Sequence, residues 1–241
     1  MRRAKIVATL GPATSTYATV RAIIDAGVDV ARLNLSHGDH AVHEISYANV
    51  RKAADDAGRA VAVLVDLQGP KIRLGKFEAG PHFLEVGDTF KITTDDILGT
   101  KDLVSTTFKG LPKDVQPGDF LLIDDGKVRV EVTEASDTVV TTRVVVAGNV
   151  SDNKGINLPG VAVNVPALSE KDEDDLRWAL RIGADLIALS FVRDAQDVQR
   201  VHFIMDEEGR RVPVIAKIEK PQAVEHLEEI VDAFDAIMVA R

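Results

Sequence analysis

The strongest constraint on this chain is an alternation of short β-branched apolar runs with helix-period segments, which begins at once, breaks off near residue 69 and resumes near residue 167. The opening stretch predicts strand 5–10, helix 16–26, strand 30–36, helix 40–57 and strand 60–68, with Gly27 and Gly58 just past the helix ends, where glycine can take the left-handed turn that closes a helix. After the break the pattern predicts helix 170–182, strand 186–192, helix 195–208, strand 213–219, helix 222–233 and strand 236–241. Strands joined by helical crossovers pair in parallel.

Between these stretches, from Gly69 to about Pro166, no helix pattern stands out. Short Val/Thr/Ile runs are separated by turn signals such as Gly87-Asp88, Pro117-Gly118, Asp125-Gly126 and Pro159-Gly160. The expected organisation is therefore an α/β domain from 1–68 and 167–241 carrying a small all-β domain, 69–166, inserted after its third strand. Successive β/α units close either as an open doubly wound sheet or as an eight-stranded barrel. The turn after the first strand lacks a Gly-x-Gly-x-x-Gly pattern, which disfavours a dinucleotide-binding open sheet. The expected fold is a partial (β/α)8 TIM barrel with an inserted all-β barrel, and in such a barrel chemistry sits at the carboxyl ends of the strands.

Charge narrows the partners. With 38 acidic against 29 basic residues and a net charge of −9, a surface devoted to nucleic acid or anionic lipid is not expected. Phosphate chemistry must then rest on local cations. The absence of cysteine removes disulfides and thiolate metal sites and makes the cytoplasm the default compartment. The apolar run after Met1-Arg2-Arg3 ends at Gly11-Pro12, too short for a signal-peptide core or a membrane span.

The strand ends carry the candidate chemistry. In Ala31-Arg32-Leu33-Asn34-Leu35-Ser36-His37-Gly38, the side chains of Arg32, Asn34 and Ser36 share one face of a strand whose other face is Leu33 and Leu35. In Val63-Leu64-Val65-Asp66-Leu67-Gln68-Gly69-Pro70-Lys71-Ile72-Arg73, a carboxylate emerges from an apolar strand, followed by two cations; Asp66 there is either functional or the cap of a turn. In Val214-Ile215-Ala216-Lys217-Ile218-Glu219-Lys220-Pro221, Lys217 and Glu219 share a face near a strand end. An ion pair explains them minimally. A lysine beside a carboxylate also suits metal-assisted phosphoryl transfer, the carboxylate holding Mg²⁺ and the ammonium meeting the transferring oxygens.

Taken together and in order, these segments resemble pyruvate kinase. So do Lys5-Ile6-Val7-Ala8-Thr9-Leu10-Gly11-Pro12-Ala13, Asn153-Lys154-Gly155-Ile156-Asn157-Leu158-Pro159-Gly160, Leu189-Ser190-Phe191-Val192 and the run from Ala236 to Arg241. The resemblance extends from Lys5 to Arg241, and the family's inserted lid domain falls where the all-β texture does.

The resemblance implies conversion of phosphoenolpyruvate and ADP to pyruvate and ATP, the last step of glycolysis, by an enzyme expected to be a homotetramer. It implies that Arg32 and Arg73 meet nucleotide and transferring phosphate, with Thr9, Asn34, Ser36 and His37 lining the same pocket. Lys217 corresponds to the transition-state cation, Glu219 to a ligand of Mg²⁺ or Mn²⁺, and Lys154 to a lid lysine that approaches the nucleotide. Asn34, Ser36, Asp66 and the carbonyl of Leu67 match the family's K⁺ site. Lys71, however, stands where potassium-dependent members carry an acidic residue, as in members that work without K⁺. The sequence also stops at Ala240-Arg241, where the family continues into Gly-Asp, so the 241-residue chain is expected to be inactive alone. The rival readings are another phosphoenolpyruvate-using barrel, such as a dikinase domain or a carbon–carbon lyase, and a non-catalytic fragment.

Overall fold

The computed structural model describes residues 3–159, 161 and 166–239. It divides into two compact units, one formed by residues 1–70 and 166–241 and the other by residues 71–165. Each has a separate apolar core.

The first unit runs β1 (Val7–Thr9), α1 (Tyr17–Asp25), β2 (Val30–Asn34), α2 (His40–Ala57) and β3 (Ala62–Asp66). It continues with α3 (Glu170–Ile182), β4 (Leu186–Leu189), α4 (Asp197–Glu207), β5 (Val214–Ile218), α5 (Pro221–Glu225), α6 (Leu227–Ala233) and β6 (Ala236–Val239). Among the described residues its six strands pair in the order β1-β2-β3-β4-β5-β6, every pair parallel. An order that never reverses puts each right-handed crossover on the same side of the sheet, which is barrel winding; a doubly wound sheet reverses at a switch point. This is a partial (β/α)8 barrel.

Local signals explain the helices. Asp39 caps α2 by accepting from the Val42 amide, and Gly58 ends it at φ 60°. Ser169 and Asp172 form a reciprocal capping box at the start of α3, which Gly183 ends at φ 96°. The strand residues Leu33, Val63, Val65, Ile187, Leu189, Val214 and Ala216 are buried against the helices in one core.

Strands β1 to β5 stop short of the lengths predicted from sequence, and the segments released at their carboxyl ends carry polar residues among apolar ones. Ser190 and Glu219 directly follow the last residues of β4 and β5, and Ser36 lies two residues past the end of β2. The predicted helix 222–233 is two helices kinked at His226 (φ −104°, ψ 20°), with the hydrogen bonds His226 N–H to Gln222 O and Ile230 N–H to His226 O carrying the ladder past the kink. Ala240 and Arg241, predicted to finish the last strand, lie outside the described residues, as does Gly160 of the Pro159-Gly160 turn.

Among its described residues the second unit is all-β apart from one turn of helix, Leu111–Asp114, that sequence reading did not predict. Its main sheet orders Ile156–Asn157, Phe120–Ile123, Val128–Ala135, Val139–Val146, Thr89–Thr93 and Leu103–Ser105, antiparallel except for the final pair. Gly148–Val150 pairs with His82–Leu84 beside it. Among the described residues no helix is long and apolar enough to cross a membrane.

Candidate active site

In the barrel unit the adjacent strands β2, β3, β4 and β5 bring charged and polar side chains together at their carboxyl ends. Register starts the arrangement: Asn34 on β2 pairs with Asp66 on β3, which pairs with Ala188 on β4. The Asp66 side chain is 1% exposed. A carboxylate so buried needs compensation, and it has two cations. Arg32 Nε donates to Asp66 Oδ2 at 2.7 Å, with the terminal Arg32 nitrogen closing a second contact to the same oxygen. Lys217 Nζ lies 3.2 Å from the other oxygen, Oδ1. Of the two sequence readings of Asp66, the turn cap fails: its oxygens face side-chain cations.

Lys217 Nζ also donates to Ser190 Oγ at 2.6 Å and stands 3.5 Å from Glu219 Oε1. Glu219 is fixed at its other oxygen, Oε2, which accepts from the Phe191 amide at 2.9 Å. The Lys217–Glu219 ion pair therefore exists, as one arm of a four-residue cluster of alternating charge. Arg32 reaches outward as well, donating from a terminal nitrogen to Thr9 Oγ1 at 2.7 Å. The ammonium of Lys220 lies 5.2 Å from the centre of the Phe191 ring, and burial pushes its pKa below the ordinary lysine value while Glu219 pulls the other way.

The rest of the β2 end is held by its own turn. Asn34 Oδ1 accepts from the Ser36 amide at 3.2 Å, the His37 amide donates to the Asn34 carbonyl, and the His37 carbonyl meets His43 Nε2 at 2.7 Å. The Leu67 carbonyl accepts from Ser190 Oγ at 2.7 Å. Lys171 Nζ donates to the Leu35 carbonyl at 3.2 Å and also pairs with Asp175, tying α3 to the same strand end.

Two residues of this cluster, Ser190 and Phe191, had no role assigned from sequence. The usable signal was positional: Ser190 is the first polar residue after the apolar β4 run, at the end where barrel chemistry is found. Phe191 adopts φ +57°, unusual for an aromatic residue, and nothing in local sequence announces it.

Within the inserted unit the remaining candidates also come together. Arg73 donates to the Asn153 carbonyl at 3.1 Å, and the Leu74 amide donates to the Lys154 carbonyl. Lys154 Nζ pairs with Asp124 Oδ1 at 3.1 Å. The stem of Lys71 packs on Gly155, where an added Cβ would lie 3.2 Å from Lys71 Cε. Hydrogen bonds from Lys127 first and Lys154 second hold the Asp124 carboxyl below the usual carboxylate range. Lys71, Arg73 and Lys154 thus share one corner.

A protein-family model described as pyruvate kinase, barrel domain, matches residues 1–241. A pyruvate kinase of Corynebacterium efficiens is 60% identical over 240 residues, covering 100% of this chain and 51% of that protein. One from Mycobacterium tuberculosis is 57% identical over 242 residues, with 100% and 51% covered. A crystal structure of a pyruvate kinase from Cryptosporidium parvum superposes with a TM-score of 0.92 at 37% identity, covering 98% of this chain and 50% of that one. The chain spans about half the length of these relatives.

Proposed function

The chain belongs to the pyruvate kinase family, and from that premise we propose that its strand-end cluster serves phosphoryl transfer from phosphoenolpyruvate to ADP, yielding pyruvate and ATP. Membership removes the rival of a different phosphoenolpyruvate-using barrel. One observation carries the reading: an ammonium, Lys217, held beside a carboxylate, Glu219, at the mouth of a barrel and 12% exposed.

In this reaction the bond between phosphorus and the enol oxygen breaks, an ADP phosphate oxygen bonds to phosphorus, and the enolate takes up a proton to become pyruvate. Catalysis of such a transfer is mostly positioning and charge stabilisation. Lys217 Nζ is placed to meet the transferring oxygens. Arg32, anchored through Asp66 Oδ2 and Thr9 Oγ1, presents a rigid guanidinium to phosphate. Asn34, Ser36 and His37 line the same strand end. Arg73 and Lys154 belong to the inserted unit, whose role we read as a lid that brings them to the nucleotide.

The donor set fits a divalent metal. Glu219 offers a hard carboxylate oxygen near the mouth, and Mg²⁺ is commonly held by one or two carboxylates together with water and substrate phosphates. Mg²⁺ or Mn²⁺ at Glu219 would neutralise charge on phosphate and enolate oxygens. For K⁺, we read Asn34, Ser36, Asp66 and the carbonyl of Leu67, which lie at the carboxyl ends of β2 and β3, as the ligands. We read Lys71 as the fixed charge that makes this ion dispensable, a reading supported by the residue type at that position. The test of the whole proposal is ATP formation by the intact protein carrying this sequence, with phosphoenolpyruvate, ADP or Mg²⁺ omitted in turn; ATP formed without phosphoenolpyruvate, or none formed with all three, rejects it.

A further inference from the structure

Resting on the functional reading above, we propose that Ser190 is a positioning residue for Lys217, and that the Ser190-Phe191 dipeptide sets the two charged groups of the neighbouring strand through separate bonds. Ser190 Oγ takes the ammonium, and the Phe191 amide takes the carboxylate of Glu219. Neither contact was assigned a role from the sequence.

The direction of the hydrogen bonds follows from chemistry. Lys217 Nζ has donors only, so Ser190 Oγ accepts from it and has one hydrogen to give. That hydrogen goes to the Leu67 carbonyl at 2.7 Å, since Asp66 Oδ1 is the more distant alternative at 3.5 Å. The result is a one-way chain from ammonium to hydroxyl to backbone carbonyl, with Ser190 itself 1% exposed.

Its effect is to hold the ammonium off its strongest partner. Without Ser190 Oγ, Lys217 would face only the carboxylates of Asp66 and Glu219, and Coulomb attraction in a buried site favours collapse onto them. The 2.6 Å contact to Ser190 is shorter than the 3.2 and 3.5 Å approaches to those carboxylates. It keeps the charge central, where transferring oxygens can reach it.

The backbone is shaped to permit this. Phe191 sits at φ +57°, which turns its amide toward Glu219. Gly69, at φ +74°, lies so close that a Cβ there would be 2.7 Å from the Phe191 ring and 2.8 Å from Ser190 Cβ. Its own amide donates to buried Asp172 at 2.9 Å. A side chain at position 69 would therefore push the dipeptide out of place.

The test compares Ser190→Ala, Ser190→Cys and Lys217→Met in the intact protein, measuring kcat, KM for phosphoenolpyruvate and ADP, the Mg²⁺ concentration for half-activation, and Tm. Both Ser190 variants should lower kcat by about ten- to a hundredfold, the scale of a catalytic group displaced by about an ångström. KM and half-activating Mg²⁺ should stay within about twofold, because Glu219 keeps its own anchor and the loss falls on the transition state. The cysteine variant keeps the volume with a poorer hydrogen-bonding group; it carries the test alone if the alanine variant does not fold. Unchanged kcat in either folded variant overturns the proposal. So does a kcat loss with parallel shifts in KM and Mg²⁺ demand, or failure of both variants to fold, since the role is then purely structural. Parental turnover in Lys217→Met rejects the functional reading and this inference with it, whereas loss in Lys217→Met with parental Ser190 variants rejects this inference alone.

Discussion

Asp66 and Lys217 are 151 positions apart in sequence, yet Lys217 Nζ stands 3.2 Å from Asp66 Oδ1 while Arg32 holds Oδ2. The carboxylate is 1% exposed and both cations are mostly buried. Removing the shared anion leaves Arg32 without its buried carboxylate and Lys217 with only Glu219, 3.5 Å away. Asp66→Ala should therefore cost about 3–5 kcal/mol, the usual penalty for deleting one partner of a buried pair, read as a lower urea midpoint with an unchanged m-value. A loss below about 1 kcal/mol, the size of an exposed ion pair, would show that water already screens the cluster.

Glu219 has one oxygen bound by the Phe191 amide and the other beside Lys217. Glu219→Gln keeps the shape and removes the charge. If the residue is a metal ligand, the Mg²⁺ needed for half-activation should rise by about tenfold or more, the scale at which even outer partners of a metal site matter. An unchanged activation curve would leave the carboxylate as no more than the partner of Lys217.

Much of this was readable in advance, because it depends on period. The alternation that places Arg32 and Asn34 opposite buried Leu33 and Leu35 is visible in the sequence and present in the structure, and the Lys217–Glu219 pairing needs only a spacing of two. Successive β/α units left an open sheet or a barrel, and the missing Gly-x-Gly-x-x-Gly turn favoured the barrel winding that the strand order shows. What could not be read depends on distant partners. Nothing near Asp66 says that its counter-charges come from β2 and β5, and nothing near Phe191 reveals a left-handed backbone that turns an amide toward Glu219. The kink at His226 was missed because its helical segments share one apolar period.

Lys71 makes a different kind of prediction. A fixed ammonium can supply the monovalent charge that other family members take from solution. Phosphoryl transfer by the intact protein should then run in sodium-only buffer at a rate close to that in potassium buffer, and Lys71→Glu should create a potassium requirement. Strong activation of the parent protein by K⁺ but not by Na⁺ would refute the assignment.

His202, on α4, has its pKa lowered chiefly by burial and next by Arg211, against the opposing pull of Asp235 and Asp206. The unfolded chain thus binds a proton before the folded one does. Its contribution to stability is present above the ordinary histidine value of about 6.5 and is lost as pH falls through the lower folded value. Urea midpoints should fall as pH drops from about 6.5 toward the lower folded value, and His202→Gln should flatten the trend. An identical pH slope in the variant would place the effect elsewhere.

The central claim is that the Lys217 ammonium acts on the transferring phosphoryl group. Its most direct measurement is the kcat for ATP formation from phosphoenolpyruvate and ADP by the intact protein and its Lys217→Met variant, with Tm recorded for both. The account predicts active parent protein and a variant that stays folded with kcat reduced by about 10²–10³ or more, the effect of removing one donor aimed at developing charge. A folded Lys217→Met variant turning over at the parental rate would contradict it.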